Sequence, residues 1–173
     1  MSYISDHKIR NTHSHHLPEQ AMVDFDLDKL INNTYLQWQQ VTPGTTAESR
    51  TAYLEKTRYK SYFVWLQKAI GELYGISEPI TAQNWDQISN EIRKAHQNPG
   101  FYMDVLKNKC KYQSVVVDTY WNPGSDNGRP ELFTPAFRLD LFFLGYKKGL
   151  RNHDGVSLEE KFGDLPDNLQ DYV

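Results

Sequence analysis

One cysteine, Cys110, stands among 173 residues, so no internal disulfide can form and a disulfide-stapled secreted scaffold is excluded. A lone thiol fits a reducing compartment, and a cytoplasmic location is expected. No stretch approaches the roughly 18 to 20 consecutive apolar residues of a membrane span, and the start of the chain, MSYISDHKIRN, lacks the apolar run of a signal peptide. No partnership with a membrane is expected. There is no excess of positive charge either: 19 Lys and Arg stand against 22 Asp and Glu, scattered along the chain, which leaves nucleic acid without an electrostatic footprint. Glycine-rich phosphate loops are missing as well, because Gly124 and Gly128 are followed neither by a lysine nor by a helix start. No serine nucleophile elbow occurs, and Cys110 has only Lys109 and Lys111 beside it to activate it.

The chemistry that remains is histidine and carboxylate. The stretch Ile9 to Pro18 reads IRNTHSHHLP. Side chains alternate along an extended backbone, so His13 and His15 point the same way while His16 points the other. Such a pair is a ready-made start for a metal site. A metal site needs about three or four ligands, and further ones are not evident from spacing, although Asp118 and His153 are within the chain's repertoire. The alternative is a solvated polar segment near a terminus.

A hydrophobic fraction of 39 % supports one domain with a core. Asp24, Asp26 and Asp28 open a helical pattern with Leu27, Leu30 and Ile31 that runs through Trp38; an EF-hand is excluded because Lys29 and Tyr35 occupy its glycine and glutamate positions. After the breaker cluster Thr42 to Thr46, the residues Tyr53, Leu54, Thr57, Tyr62, Trp65, Leu66, Ala69, Ile70 and Leu73 trace one face of a long helix from about Ser49 to Tyr74, closed by Gly75. That aromatic stripe reads as core. A third helix follows an N-cap at Thr81, a fourth runs from about Phe101 to Lys109, and Ser114 to Asp118 reads as a strand buried on both faces, as in a parallel sheet. The loop from Thr119 to Pro135 exceeds ordinary connection lengths and is a functional candidate, and Phe137 to Phe143 reads as the next strand. Helical patterns resume at Ser157 and after Pro166.

The HSH step after a first strand, the segment around Tyr35 and Trp38, the stretch YFVWLQKAIGELYGISEPIT, the strand ending at Asp118 and the stretch TPAFRLD around Arg138 together resemble the amidohydrolase superfamily, most closely its uronate isomerase branch. The resemblance covers most of the chain at low similarity, with the HxH step and the Phe137–Arg138 pair its specific parts. It implies an α/β fold: the N-terminal part of a metal-dependent (β/α)₈ TIM barrel, with residues 1–173 forming one partial barrel domain and a helical insertion at about 24–110 after strand 1. It further implies a divalent metal, zinc, on His13 and His15, with Tyr35 approaching a small-molecule substrate and Arg138 meeting a carboxylate, as in a carboxylated sugar. From its residue type alone Arg138 reads rather as a structural ion-pair partner of Asp140 or a neighbour, and Asp118 is either a site residue or a cap for the following loop. Asn11 and Thr34 stand where that branch has an acid and a histidine. Barrels typically take about 250 residues. The expected activity is therefore metal-dependent hydrolysis by a larger protein of which this is the N-terminal part, with uronate-like sugar isomerisation or an inactive fragment or interaction module as alternatives, and self-association through open strand edges.

Overall fold

The computed structural model describes residues 7–36, 42–144, 147–152 and 155–172. Trp38 and His153 lie outside them. The chain divides into two compact units, one made of Met1–Ile9 and Leu17–Gln113, the other of Arg10–His16 and Ser114–Val173.

The first unit is helical. Asp26 caps α1 (Leu27–Asn32) by accepting from the Lys29 N–H, and Thr46 caps α2 (Ala47–Thr57) in a reciprocal box with Ser49. Helix α3 (Ser61–Tyr74) ends at Gly75, whose φ of 71° lets the chain turn left-handed without the cost a Cβ would add. Helix α4 (Trp85–His96) buries Trp85, Ile88 and Ile92. The side chains of Leu27, Ile31, Tyr53, Phe63, Ile70, Trp85, Ile88 and Ile92 form one apolar cluster. Trp85 sits at its centre, edge-on to Tyr53 at 6.2 Å between ring centroids, with Nε1 donating to Asp28 at 3.3 Å. Short α5 (Phe101–Asp104) runs on into a wide turn over Val105–Lys109.

The long helix expected over 49–74 is two helices. The Arg58 N–H still bonds the Leu54 carbonyl at 2.9 Å, but the Lys60 N–H turns onto the Thr57 carbonyl three residues back at 2.8 Å, and there α2 ends before α3 begins in its own phase. The shift of phase changes which aromatics are inside: Phe63 and Ile70 are buried, whereas Tyr62 is exposed and Trp65 is 67 % exposed, with Lys68 Nζ 4.5 Å from its ring centroid. Trp65 is therefore no core residue. At the far end of α3, the Tyr74 hydroxyl and His96 Nε2 are 2.9 Å apart; burial pushes the tyrosine up to about 12 and holds the histidine below its ordinary value.

A three-stranded sheet, all of it but Ile9, Tyr112 and Gln113 in the second unit, runs in the order β1 (Ile9–Ser14), β2 (Tyr112–Val117), β3 (Phe133–Pro135). The Ile9 N–H bonds the Lys111 carbonyl and the Asp118 N–H bonds the Ser14 carbonyl, so β1 and β2 advance together; β3 is parallel to β2 in the register Val115 to Phe133 and Val117 to Pro135. Val115 and Val117 are fully buried and Val116 is partly so, which makes one face of β2 core. The expected strand at Phe137 to Phe143 is not one: the last bond of the ladder is from the Ala136 N–H to the Val117 carbonyl at 2.8 Å, and after an irregular stretch the chain turns into α6 (Asp140–Leu144). Phe137, Leu139 and Phe143 stand exposed. Two further short helices, α7 (Leu158–Phe162), boxed by Ser157 and Glu160, and α8 (Leu169–Tyr172), follow. No helix among the described residues is long and apolar enough to cross a membrane.

Candidate metal centre

Three parallel strands end on the same side, and the site residues gather there. His13 is the fifth residue of β1, and His15 follows its last. Asp118 follows the last residue of β2 and bonds Ser14 through its backbone, while Arg138 lies three residues past β3. Side chains carried past the C-terminal ends of parallel strands are where α/β folds assemble reactive groups. Asn11 stiffens the approach, its Oδ1 accepting from the His13 N–H at 3.1 Å and its Nδ2 donating to Ser14 Oγ.

His13 Nε2 and His15 Nε2 are 3.4 Å apart, and Asp118 Oδ2 lies 3.9 Å from His13 Nε2 and 3.9 Å from His15 Nδ1. His15 Nδ1 is 2.7 Å from the Asp118 backbone carbonyl, an oxygen that only accepts, so Nδ1 carries the proton and Nε2 keeps its lone pair. This is the outer hydrogen bond that fixes a metal-binding histidine in the competent tautomer. At zinc–nitrogen distances of about 2.0 to 2.1 Å, neighbouring corners of a tetrahedron are about 3.3 to 3.4 Å apart. The observed nitrogen pair matches that edge. With ligand atoms of His13, His15 and Asp118 all within 4.8 Å of one another, the set is two imidazoles and a carboxylate, which suits a divalent ion and leaves a further position open.

Asp118 is held in place from behind. Arg138 Nε and Nη2 each donate to Oδ2 at 2.8 Å, and the aspartate side chain is 5 % exposed against 25 % for the arginine. A carboxylate offers two oxygens and about four acceptor positions, so these two bonds, both to Oδ2, do not exhaust it. Arg138 thus has Asp118 as an ion-pair partner, while Asp140 accepts from Asn152 at 3.0 Å. His16 turns elsewhere, its ring 5.4 Å from Phe133; burial holds its imidazole below the ordinary range, with His15 adding to the effect. Its carbonyl accepts from Asn127 Nδ2 at 2.8 Å, which ties the long loop to the segment after β1.

Tyr35 belongs to the helical unit, where its ring packs 5.3 Å from that of Tyr62. Cys110 is partly buried and burial pushes its thiol up, which disfavours the nucleophilic thiolate. Two residues that spacing arguments passed over complete the surroundings. Tyr120 and Trp121 lie 5.7 and 6.5 Å from the His15 ring, and Arg138 sits 5.0 Å from the Tyr120 centroid. Their signal in the sequence is two adjacent aromatics immediately beyond a buried strand, in a loop otherwise rich in Gly, Pro, Asn and Asp.

No protein-family model matches this chain, and no curated protein matches it in sequence.

Proposed function

We propose that this chain carries the metal-binding end of an amidohydrolase-type barrel, and that the site works as a metal-dependent hydrolase with His13, His15 and Asp118 holding a divalent ion, zinc. The observation that carries the reading is the pair of imidazole nitrogens 3.4 Å apart beside a carboxylate fixed on the neighbouring parallel strand. The strand order β1-β2-β3, all parallel, with a helical crossover after β1, is how a (β/α)₈ barrel begins. The β2 to β3 connection departs from that plan, being a loop without a helix. A bound ion supplies Lewis acidity, polarising a carbonyl and lowering the pKa of water. His15 is kept in its metal-binding tautomer by the Asp118 carbonyl, and the Asp118 carboxylate is oriented by two hydrogen bonds from Arg138.

The test is zinc-loaded protein against a panel of small carbonyl compounds, followed by product mass. Hydrolysis adds one water, and turnover that vanishes in His15→Ala supports the reading. A product of unchanged mass points to the isomerase instead. Zinc-loaded protein whose turnover is the same in His15→Ala places the chemistry elsewhere.

A further inference from the structure

We infer that Tyr120 and Trp121 form a ring-binding wall beside the metal ligands, so that the site takes a carbonyl compound whose reactive group is joined to a flat aromatic or heteroaromatic ring. The inference rests on the metal reading above and goes beyond it by naming the ligand class. Both side chains stand open, 41 % and 38 % exposed, although large aromatics gain most by burial. Their rings meet edge-on, 4.8 Å between centroids and 81° between planes, which makes a corner rather than a flat patch. One side of that corner is next to His15.

The corner is also held before any ligand arrives. Arg138 lies against the Tyr120 ring and is itself held by two hydrogen bonds to Asp118, so the aromatic wall and the carboxylate share one guanidinium. The backbone beneath is closed on itself: the Asn122 N–H donates to the Thr119 carbonyl at 2.8 Å, and Thr119 Oγ1 donates to the Asn122 carbonyl at 2.7 Å. Rings fixed in this way bind without a large ordering cost, and they select by shape and π-face rather than by hydrogen bonds. Both rings adjoin that of His15, whose Nε2 would face the ion.

Three hydroxamates probe this directly, because they share one metal-chelating group and differ only in the substituent: acetohydroxamate, benzohydroxamate and cyclohexanecarbohydroxamate. Binding is measured by calorimetry on zinc-loaded protein. Benzohydroxamate is expected to bind roughly tenfold tighter than acetohydroxamate, the scale of one well-placed aromatic contact, and tighter than the cyclohexyl compound. Trp121→Ala and Tyr120→Ala each bring the benzo-to-aceto ratio, taken on protein of measured zinc content, toward one; a ratio that stays as in the parent in both variants overturns the wall. Equal binding of acetohydroxamate and benzohydroxamate by the parent overturns the wall and leaves the metal reading intact, and equal binding of the benzo and cyclohexyl compounds overturns the preference for a flat ring. Failure to retain zinc, with no hydroxamate bound, overturns both.

Discussion

Replacing Arg138 by glutamine removes the cation that faces a nearly dry carboxylate while keeping much of the side chain's length. Breaking a buried ion pair from one side costs about 3 to 5 kcal/mol, most of it from leaving the other charge buried alone. Asp118 meets the condition, with a side chain 5 % exposed, but Arg138 at 25 % exposure already shares its charge with water, so the expected loss is lower, about 2 to 3 kcal/mol. For a chain of this size that is a fall in midpoint of roughly 5 to 10 °C. Thermal and urea denaturation of Arg138→Gln, Asp118→Asn and the double variant measure it. The double variant is expected to be more stable than Arg138→Gln alone, because two amides leave no uncompensated charge. A loss below about 0.5 kcal/mol, or a double variant as unstable as the two single losses added, would refute the reasoning.

The two tryptophans in the helical unit separate sharply. Trp85→Ala should cost about 3 to 5 kcal/mol, whereas Trp65→Ala on the open face of α3 should cost about 1 kcal/mol or less; similar losses would mean that α3 faces the other way. The Tyr74–His96 pair makes stability depend on pH. Folding lowers the pKa of His96 through burial, so the unfolded chain binds the extra proton first; this contribution is present above about pH 6.5 and is lost as pH falls through the folded-state value. Midpoints measured between about pH 7.5 and 5 should fall less steeply for His96→Gln than for the parent, and an unchanged slope would contradict the assignment.

Local patterns carried a good part of this molecule. The alternation of an extended chain was enough to put His13 and His15 on one side of β1, and the β-branched run with an acid at its end was enough to mark Asp118 as a candidate, because both depend on residues one or two positions apart. The Arg138 bond to Asp118 was not legible, since it joins residues 20 apart through a strand register that the hydrophobic run at Phe137 to Phe143 disguised. The division of α2 from α3 was hidden as well, as Arg58, Tyr59 and Lys60 contain no helix breaker, and the turn shows only in the Lys60 N–H reaching the Thr57 carbonyl. Once that break is in place, Phe63 goes in and Trp65 comes out. Tyr120 and Trp121 were overlooked because aromatic side chains have no spacing rule in a loop; only the position of His15 gives them meaning.

The most direct test of the metal centre is equilibrium competition of zinc between the protein and a chromophoric chelator, for the parent and for His13→Ala, His15→Ala, Asp118→Ala and His16→Ala. One zinc per chain is expected for the parent, with affinity at least tenfold weaker in each of the first three variants, as loss of a ligand demands, and unchanged in His16→Ala, whose ring packs on Phe133. Zinc held equally well by the parent and by His13→Ala and His15→Ala would contradict the account.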